Sequence, residues 1–279
     1  MTNPLIKIKN LHCGYAPGKP VLYVDDLNLA ENEITFMLGP SGIGKSTLIE
    51  ALGLINDTIL DSTSSQVLFQ NDQNQYINLN DLWLNNKSKL ETFRRNYFSF
   101  IFQNNYLMPN LSAGENMMMT LLMKGENETE AKDKILYYMD KVGLDEELFD
   151  KKVVHLSGGQ KQRLAFVRAI ASPFKLLIGD EPTGNLDAMT ADKLMGYATQ
   201  SIRESNRSAL FVSHDINLAL RYADTILLFK FIKKEVEMGL LSDSEALKRL
   251  GDKWYHAGRE IANPHQLIME VFLQSPKML

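Results

Sequence analysis

Residues Gly39 to Thr47 read Gly-Pro-Ser-Gly-Ile-Gly-Lys-Ser-Thr, a G-x-x-x-x-G-K-[ST] run. It follows a short apolar segment, Ile34–Leu38, and precedes a helix expected over residues 46–54. The glycines let successive backbone N–H groups turn inward around phosphate oxygens, at the positive end of the helix that follows. Lys45 supplies a point charge for the outer phosphates, and the Ser46 hydroxyl can ligate Mg²⁺. A glycine-rich turn capped by Ser46 is the plainer alternative. Strand, loop and helix in this order favour a phosphate site in an α/β fold. Taken alone, the run says nucleotide and no more.

The rest of the chain is consistent with that start. Leu5–Ile8 and Val21–Leu29 alternate as half-buried strands do, with a turn-rich segment from Gly14 to Pro20 between them. Glu31-Asn32-Glu33 reads as a tight turn. The polar stretch Asp57–Asn86 reads as a loop-rich insertion holding one strand, Val67–Phe69, and Phe98–Phe102 as a further strand. Helical patterning runs from about Ala113 to Val154, clearest over Glu128–Met139. Beyond Ile170 come strand Leu176–Gly179, helix Ala188–Arg203, strand Ala209–Val212, helix Ile216–Tyr222 and strand Thr225–Phe229, the alternation of parallel βα units. The tail is expected to be helical. Ser242-Asp243-Ser244-Glu245 has capping-box spacing, and Leu247, Leu250 and Trp254 follow at helical intervals.

Composition narrows the partners. The 279 residues carry a formal charge of −4, which argues against general nucleic-acid binding, so no nucleic acid is expected. A single cysteine, Cys13, forms no internal disulfide and fits a reducing compartment. No leader pattern is read at the N-terminus, and the most apolar stretches, Met117–Met123 and Ile226–Ile232, fall short of the ~18 apolar residues of a membrane span. Work at a membrane therefore needs a membrane-embedded partner. His12, His155, His256 and His265 show no metal-ligand spacing and read as structural or surface residues.

Two further motifs carry chemistry. Leu156-Ser157-Gly158-Gly159-Gln160 places a hydroxyl and two glycines at the start of a helix expected over about residues 160–171. Ser157 caps that helix, yet its N-terminus is also an anion site, and the chain already has one for its own nucleotide. A second such site suits a γ-phosphate offered by another subunit. Leu176–Gly179 then delivers Asp180 and Glu181 at a strand's carboxyl end. There Asp180 can hold Mg²⁺ through water while Glu181 orients and deprotonates the attacking water.

In this order the motifs resemble those of an ABC-transporter nucleotide-binding domain, over about residues 4–229. The resemblance implies a P-loop NTPase core of the ABC ATPase type. An antiparallel β portion receives adenine, and an inserted helical subdomain, about residues 104–172, carries the signature. The nucleotide-binding domain is expected over residues 4–230, with a helical C-terminal tail over 231–279. The resemblance assigns ATP to Tyr15, which stacks on adenine, and to the loop Gly39, Pro40, Ser41, Gly42, Ile43, Gly44, Lys45, Ser46 and Thr47. It assigns the γ-phosphate of a second copy to Ser157, Gly158, Gly159 and Gln160. Mg²⁺ falls to Ser46, Gln103 and Asp180, with Gln103 sensing the γ-phosphate. Lys45, Glu181 and the switch residue His214 serve catalysis, and Asp187, closing Gly184-Asn185-Leu186-Asp187, lies near the dimer seam.

Phe100-Ile101-Phe102-Gln103, Leu107-x-Pro109-x-Leu111-Ser112-x-x-Glu115-Asn116 and Glu181-Pro182-Thr183-Gly184-Asn185-Leu186-Asp187 are similar to the lipoprotein-release, macrolide-export and cell-division ABC ATPases. That group implies an ATP hydrolase paired with a second copy of itself. It would sit peripherally at the cytoplasmic face of the inner membrane and drive a permease-like subunit for export, extraction or force transmission, through a groove around Gln103 and Met117–Met119. Helical core is the favoured reading of those methionines. The alternative is a soluble ABC ATPase of chromosome, repair or translation work. It calls for a long coiled-coil insertion, two ATPase domains in one chain or a strongly basic surface, and the sequence has none of these. The chain departs from the family after Phe229, where the usual Asp-Gly turn and closing strand are not read.

Overall fold

Strands that read as unbroken apolar runs form the centre of the protein, because a parallel sheet covered on both faces leaves no polar side. The computed structural model describes residues 3–60, 63–85, 87–233 and 237–273. The first part of the chain holds β1 (Pro4–Cys13), β2 (Leu22–Ala30), β3 (Ile34–Leu38), α1 (Lys45–Leu52), β4 (Gln66–Gln70), β5 (Tyr76–Asn78), α2 (Leu79–Asn85), α3 (Lys87–Tyr97) and β6 (Phe98–Ile101). Then follow α4 (Ala113–Leu122), α5 (Glu128–Lys141), α6 (Gly158–Ala171), β7 (Leu176–Asp180), α7 (Ala188–Glu204), β8 (Ser208–Val212), α8 (Ile216–Tyr222) and β9 (Thr225–Leu228). The chain closes with β10 (Lys230–Lys233), β11 (Glu237–Leu241), β12 (Leu247–Leu250), β13 (Lys253–His256), β14 (Arg259–Ile261) and α9 (Pro264–Leu273).

Two sheets organise these elements. One has the order β14-β13-β12-β9-β3-β8-β7-β6, and its β9-β3-β8-β7-β6 part is parallel throughout. The carboxyl ends of β3 and β7 open into the phosphate loop and the Asp180–Glu181 pair, where an open parallel sheet places its ligands. The other sheet, β10-β11-β2-β1-β4-β5, is antiparallel except for the β11–β2 pair. One buried cluster joins β1, β2 and α1 to the inner face of the parallel strands, through Leu11, Leu22, Leu48 and Phe229 among others. A second joins the opposite face to α4–α8, through Met117, Ile135, Phe166 and Leu194.

The tail corrects the expected helix. Leu247–Leu250 and Lys253–His256 are paired strands, and β12 also pairs with β9, extending the core sheet. Ser242 caps only the short 3₁₀ turn Asp243–Glu245. Turn chemistry decides the matter. Gly251 at φ 61° opens the two-residue loop between β12 and β13, and Ala257 and Gly258, at 48° and 75°, supply the next. Left-handed loops of this kind set hairpins, which overrides the 3–4 spacing of Leu247, Leu250 and Trp254. The tail's one α-helix among the described residues is α9, where Asn263 accepts from the N–H of Gln266 and Pro264 takes the first helical position.

Two further expectations are revised. The closing strands after Phe229 are present as the β10–β11 hairpin, and β11 runs parallel beside β2. Nor is the Asp57–Asn86 stretch mostly loop: β5 and α2 fall in it beside β4, and α3 follows. Asn71 organises the turn between β4 and β5, accepting from the N–H groups of Gln73 and Gln75.

Candidate functional site

The phosphate loop begins where β3 ends. Gly44 stands immediately before α1 at φ 103°, and a Cβ there would sit 2.8 Å from the Cβ of Leu22, so both backbone angle and space require glycine. Lys45 is 6% exposed. Its ammonium donates to the carbonyls of Gly39 (2.7 Å) and Pro40 (2.8 Å), inside the curl of the loop. Burial pulls the Lys45 pKa down to about 8, against the opposing pull of Glu181 and Asp180.

Across from the loop, β7 delivers the two acids. Ser46 donates its hydroxyl proton to Asp180 at 3.3 Å. Burial raises the Asp180 pKa, while the Ser46 hydrogen bond lowers it. A carboxylate held in a desolvated site beside a hydroxyl is a hard-oxygen donor pair that a divalent cation would stabilise, so these residues fit Mg²⁺. Glu181 has φ 46°, uncommon for a residue with a side chain, and its N–H is tied to the Val212 carbonyl at 3.0 Å. Its carboxylate lies 2.8 Å from Nε2 of His214. His214 is aimed there by its own turn: Ser213 Oγ accepts from the Asp215 N–H, and Asp215 in turn caps α8 through the Leu218 N–H, both at 3.0 Å.

Tyr15, Ser41, Gly42, Gly44, Lys45, Ser46, Thr47, Asp180, Glu181 and His214 thus line one cavity of about 310 Å³. Tyr15 is 63% exposed, its ring free on the cavity wall and its hydroxyl held by Glu50 (3.0 Å) and Thr47 (3.4 Å). Of the remaining loop residues, Ile43 is fully buried and Gly39 packs against Phe229.

Other expected residues lie elsewhere. Gln103 is exposed in the turn after β6 and lines neither this cavity nor the one behind Glu181. Ser157 and Gln160 form a reciprocal capping box at the head of α6, and a Cβ at Gly158 would meet nothing within 4 Å, so that helix end is open. It does not line the cavity of its own chain. Asp187 caps α7 through the Thr190 N–H at 3.0 Å, and the Thr190 side chain together with that N–H lowers its pKa.

Sequence reasoning passed over Gln162. It is fully buried on α6, and its Nε2 donates to the carbonyl of Pro182, next to Glu181. A glutamine beside the run Leu164–Val167 on a core-facing helix is the signal that could have found it. The Met117–Met119 segment divides. Met117 and Met118 are core, whereas Met119 lines a groove of about 730 Å³ with Phe98, Phe100, Phe102, Tyr106 and Lys124.

The ABC transporter family profile matches residues 23–184, more than half of the chain. This chain is a member of the ABC transporter family. It is 34% identical over 222 residues to the lipoprotein-releasing system ATP-binding protein LolD of Rickettsia conorii, a match covering 78% of this chain and 92% of that protein. To the uncharacterized ABC transporter ATP-binding protein MJ0796 of Methanocaldococcus jannaschii it is 33% identical over 232 residues, covering 81% of this chain and 93% of that one. A solved dimeric structure of the MJ0796 cassette in a post-hydrolysis state, bound to ADP and Pi, superposes with a TM-score of 0.69 at 32% identity, over 80% of this chain and 93% of that one. The ABC family thus accounts for both the α/β architecture and the order of the motifs.

Proposed function

We propose that this chain is the ATP-binding, ATP-hydrolysing subunit of an ABC transporter-type complex, in which two copies close around two ATP molecules and drive a separate membrane protein. The observation that carries the reading is the convergence of Lys45, Ser46, Asp180, Glu181 and His214 on one cavity. The loop N–H groups and Lys45 bind the phosphates, and Tyr15 supports the adenine. Ser46 and Asp180 hold Mg²⁺, with Gln103 joining them as the copies close. Held there, Mg²⁺ would supply charge neutralisation at the phosphate oxygens. Glu181 takes the proton from the attacking water, and His214 releases its hold on Glu181 to reach the γ-phosphate. Ser157–Gln160 of one copy caps the nucleotide of the other, and Asp187 lies at the seam between them.

Residues 4–230 carry the nucleotide-binding motifs, with the helical part over about 104–172 carrying the signature, and β11 and β12 beyond them complete the two sheets of the same domain. The groove along β6 and α4 receives the membrane protein. It is lined by the stacked rings of Phe100 and Phe102 (5.4 Å, 7°) and rimmed by Met119, Met123 and Lys124. No helix among the described residues is long and apolar enough to cross a membrane, so attachment at the cytoplasmic face of the cell membrane runs through that partner.

Glu181→Gln tests the mechanism. Glutamine keeps the size but cannot accept the proton, so phosphate release should fall by about 10²–10⁴-fold while ATP still binds. The closed pair should then accumulate with MgATP and elute as a dimer in size-exclusion chromatography. Turnover at the unsubstituted rate would remove Glu181 from the chemistry.

A further inference from the structure

The Glu181–His214 pair is a partition. The phosphate-loop cavity lies on one side, and the same two residues also line a second cavity of about 630 Å³. Thr183, Gly184 and Leu186, from the segment ahead of α7, line that second cavity, as does His265 from α9. A histidine assigned to the surface therefore faces the same space as the general base and the switch residue.

What brings it there is the packing of α9. Ile268 is fully buried and Val271 8% exposed, in a cluster with Ile216, Leu218 and Ala219 of the α8 region and with Leu247 and Trp254 of β12 and β13. The face turned away holds His265, Met269 and Leu273 at i, i+4 and i+8, one line along a helix. His265 is exposed, Met269 is 39% exposed and Leu273 78%. Among the described residues no hydrogen bond or ion pair engages His265. From α7, Ala188 and Ala191 also line this cavity, and Met189, next to Ala188 in sequence, is 69% exposed. Apolar side chains left in water on two elements that bound one cavity mark a contact surface.

We infer that the outward face of α9, headed by His265, is part of the seam between two copies of this chain. The occupant is the second copy because the surface is continuous, through one cavity, with the Thr183–Asp187 segment. The inference rests on the proposed closure of two copies around ATP. It gives the C-terminal segment a place in the dimer and puts a residue of that segment in the cavity that Glu181 and His214 also line.

Thiol protection tests it. Cys13 is fully buried with its thiol pKa pushed up to about 12, so it does not react with a maleimide and an introduced cysteine can be followed alone. In the Glu181→Gln chain, His265→Cys and, as a second variant, Met269→Cys should react freely without nucleotide. With MgATP the reaction should slow at least tenfold. Leu84→Cys, on the exposed face of α2, should react equally in both conditions. Sedimentation velocity run beside the labelling separates the outcomes. A dimer in which positions 265 and 269 stay as reactive as Leu84→Cys overturns this inference and leaves the sandwich intact. Absence of any dimer overturns both.

Discussion

At the scale of single residues, the site is tuned by burial as much as by charge. Lys45 is enclosed by the carbonyls it binds, and desolvation brings its pKa to about 8 from 10.5. The sign for folding follows. Since the folded value is the lower one, between about 8 and 10.5 the unfolded chain binds more protons, and this residue's contribution to stability rises with pH across that window. Phosphate binding works in the opposite sense. In the proposed site the charged ammonium is the form that holds the γ-phosphate, so binding ATP should raise the Lys45 pKa and take up a proton wherever the free protein has lost one. ATP affinity should therefore fall roughly eightfold between about pH 7.5 and pH 9. Calorimetry in two buffers of different ionisation enthalpy checks this. Proton uptake should grow across that range towards about one per site. Uptake near zero at both pH values would mean that Lys45 stays charged in the free protein.

Between residues and the whole lie the elements, where local signals and long-range pairing part company. The phosphate loop, the Ser157 cap and the Asp180–Glu181 pair were legible because each is set within a few residues, by glycine placement, a capping box and a strand end. The β12–β14 meander was not, because its register comes from β9, and its hairpins turn on Gly251 and on Ala257-Gly258. α3 gave no helical signal in the sequence because only Leu90 and Phe93 of its residues are buried. Gln103 shows the same divide: its position after β6 was readable, while its distance from the phosphate cavity was not. The β10–β11 hairpin has a consequence for the site. Gly239 on β11 lies so close to the loop that an added Cβ would stand 2.1 Å from the Ile43 carbonyl oxygen and 3.1 Å from Leu22 Cδ1. Leu22 in turn backs Gly44, so hairpin, β2 and phosphate loop form one stack. Gly239→Ala should therefore cost about 1–3 kcal/mol of stability and weaken ATP binding along with it, because the loop itself must yield. A thermal melt paired with a nucleotide titration decides it. A lower melting temperature at unchanged affinity would separate the hairpin from the loop.

For the whole molecule, the proposed reading needs two chains to complete one site. Its cavity has Lys45, Ser46, Asp180, Glu181 and His214, while the open head of α6 with Ser157–Gly159 does not line it. The MJ0796 cassette was solved as a dimer with ADP and Pi, and in the pair proposed for this chain each cavity would receive the other copy's helix head. That arrangement is testable by complementation. Ser157→Arg places a bulky cation where a γ-phosphate must approach, so it should block turnover while the monomer still binds ATP. Lys45→Ala removes phosphate binding and should be inactive for a different reason. In a mixed pair, the phosphate loop of the Ser157→Arg chain meets the unaltered Ser157 of the Lys45→Ala chain, which leaves one intact composite site and one doubly damaged. Random pairing of equal amounts puts half of the dimers in mixed form, so about a quarter of wild-type turnover per site should return if each site works alone. A phosphate-release assay across mixing ratios should peak near equal amounts, and coupled action of the two sites would lower the peak without moving it. A mixture as inactive as its components, with a mixed dimer present by native mass spectrometry, would mean that each chain uses its own Ser157 or that both sites must fire together. Ser157→Arg alone separates these: closure of its Glu181→Gln double variant around MgATP would show that Ser157 does not face the nucleotide of the second copy.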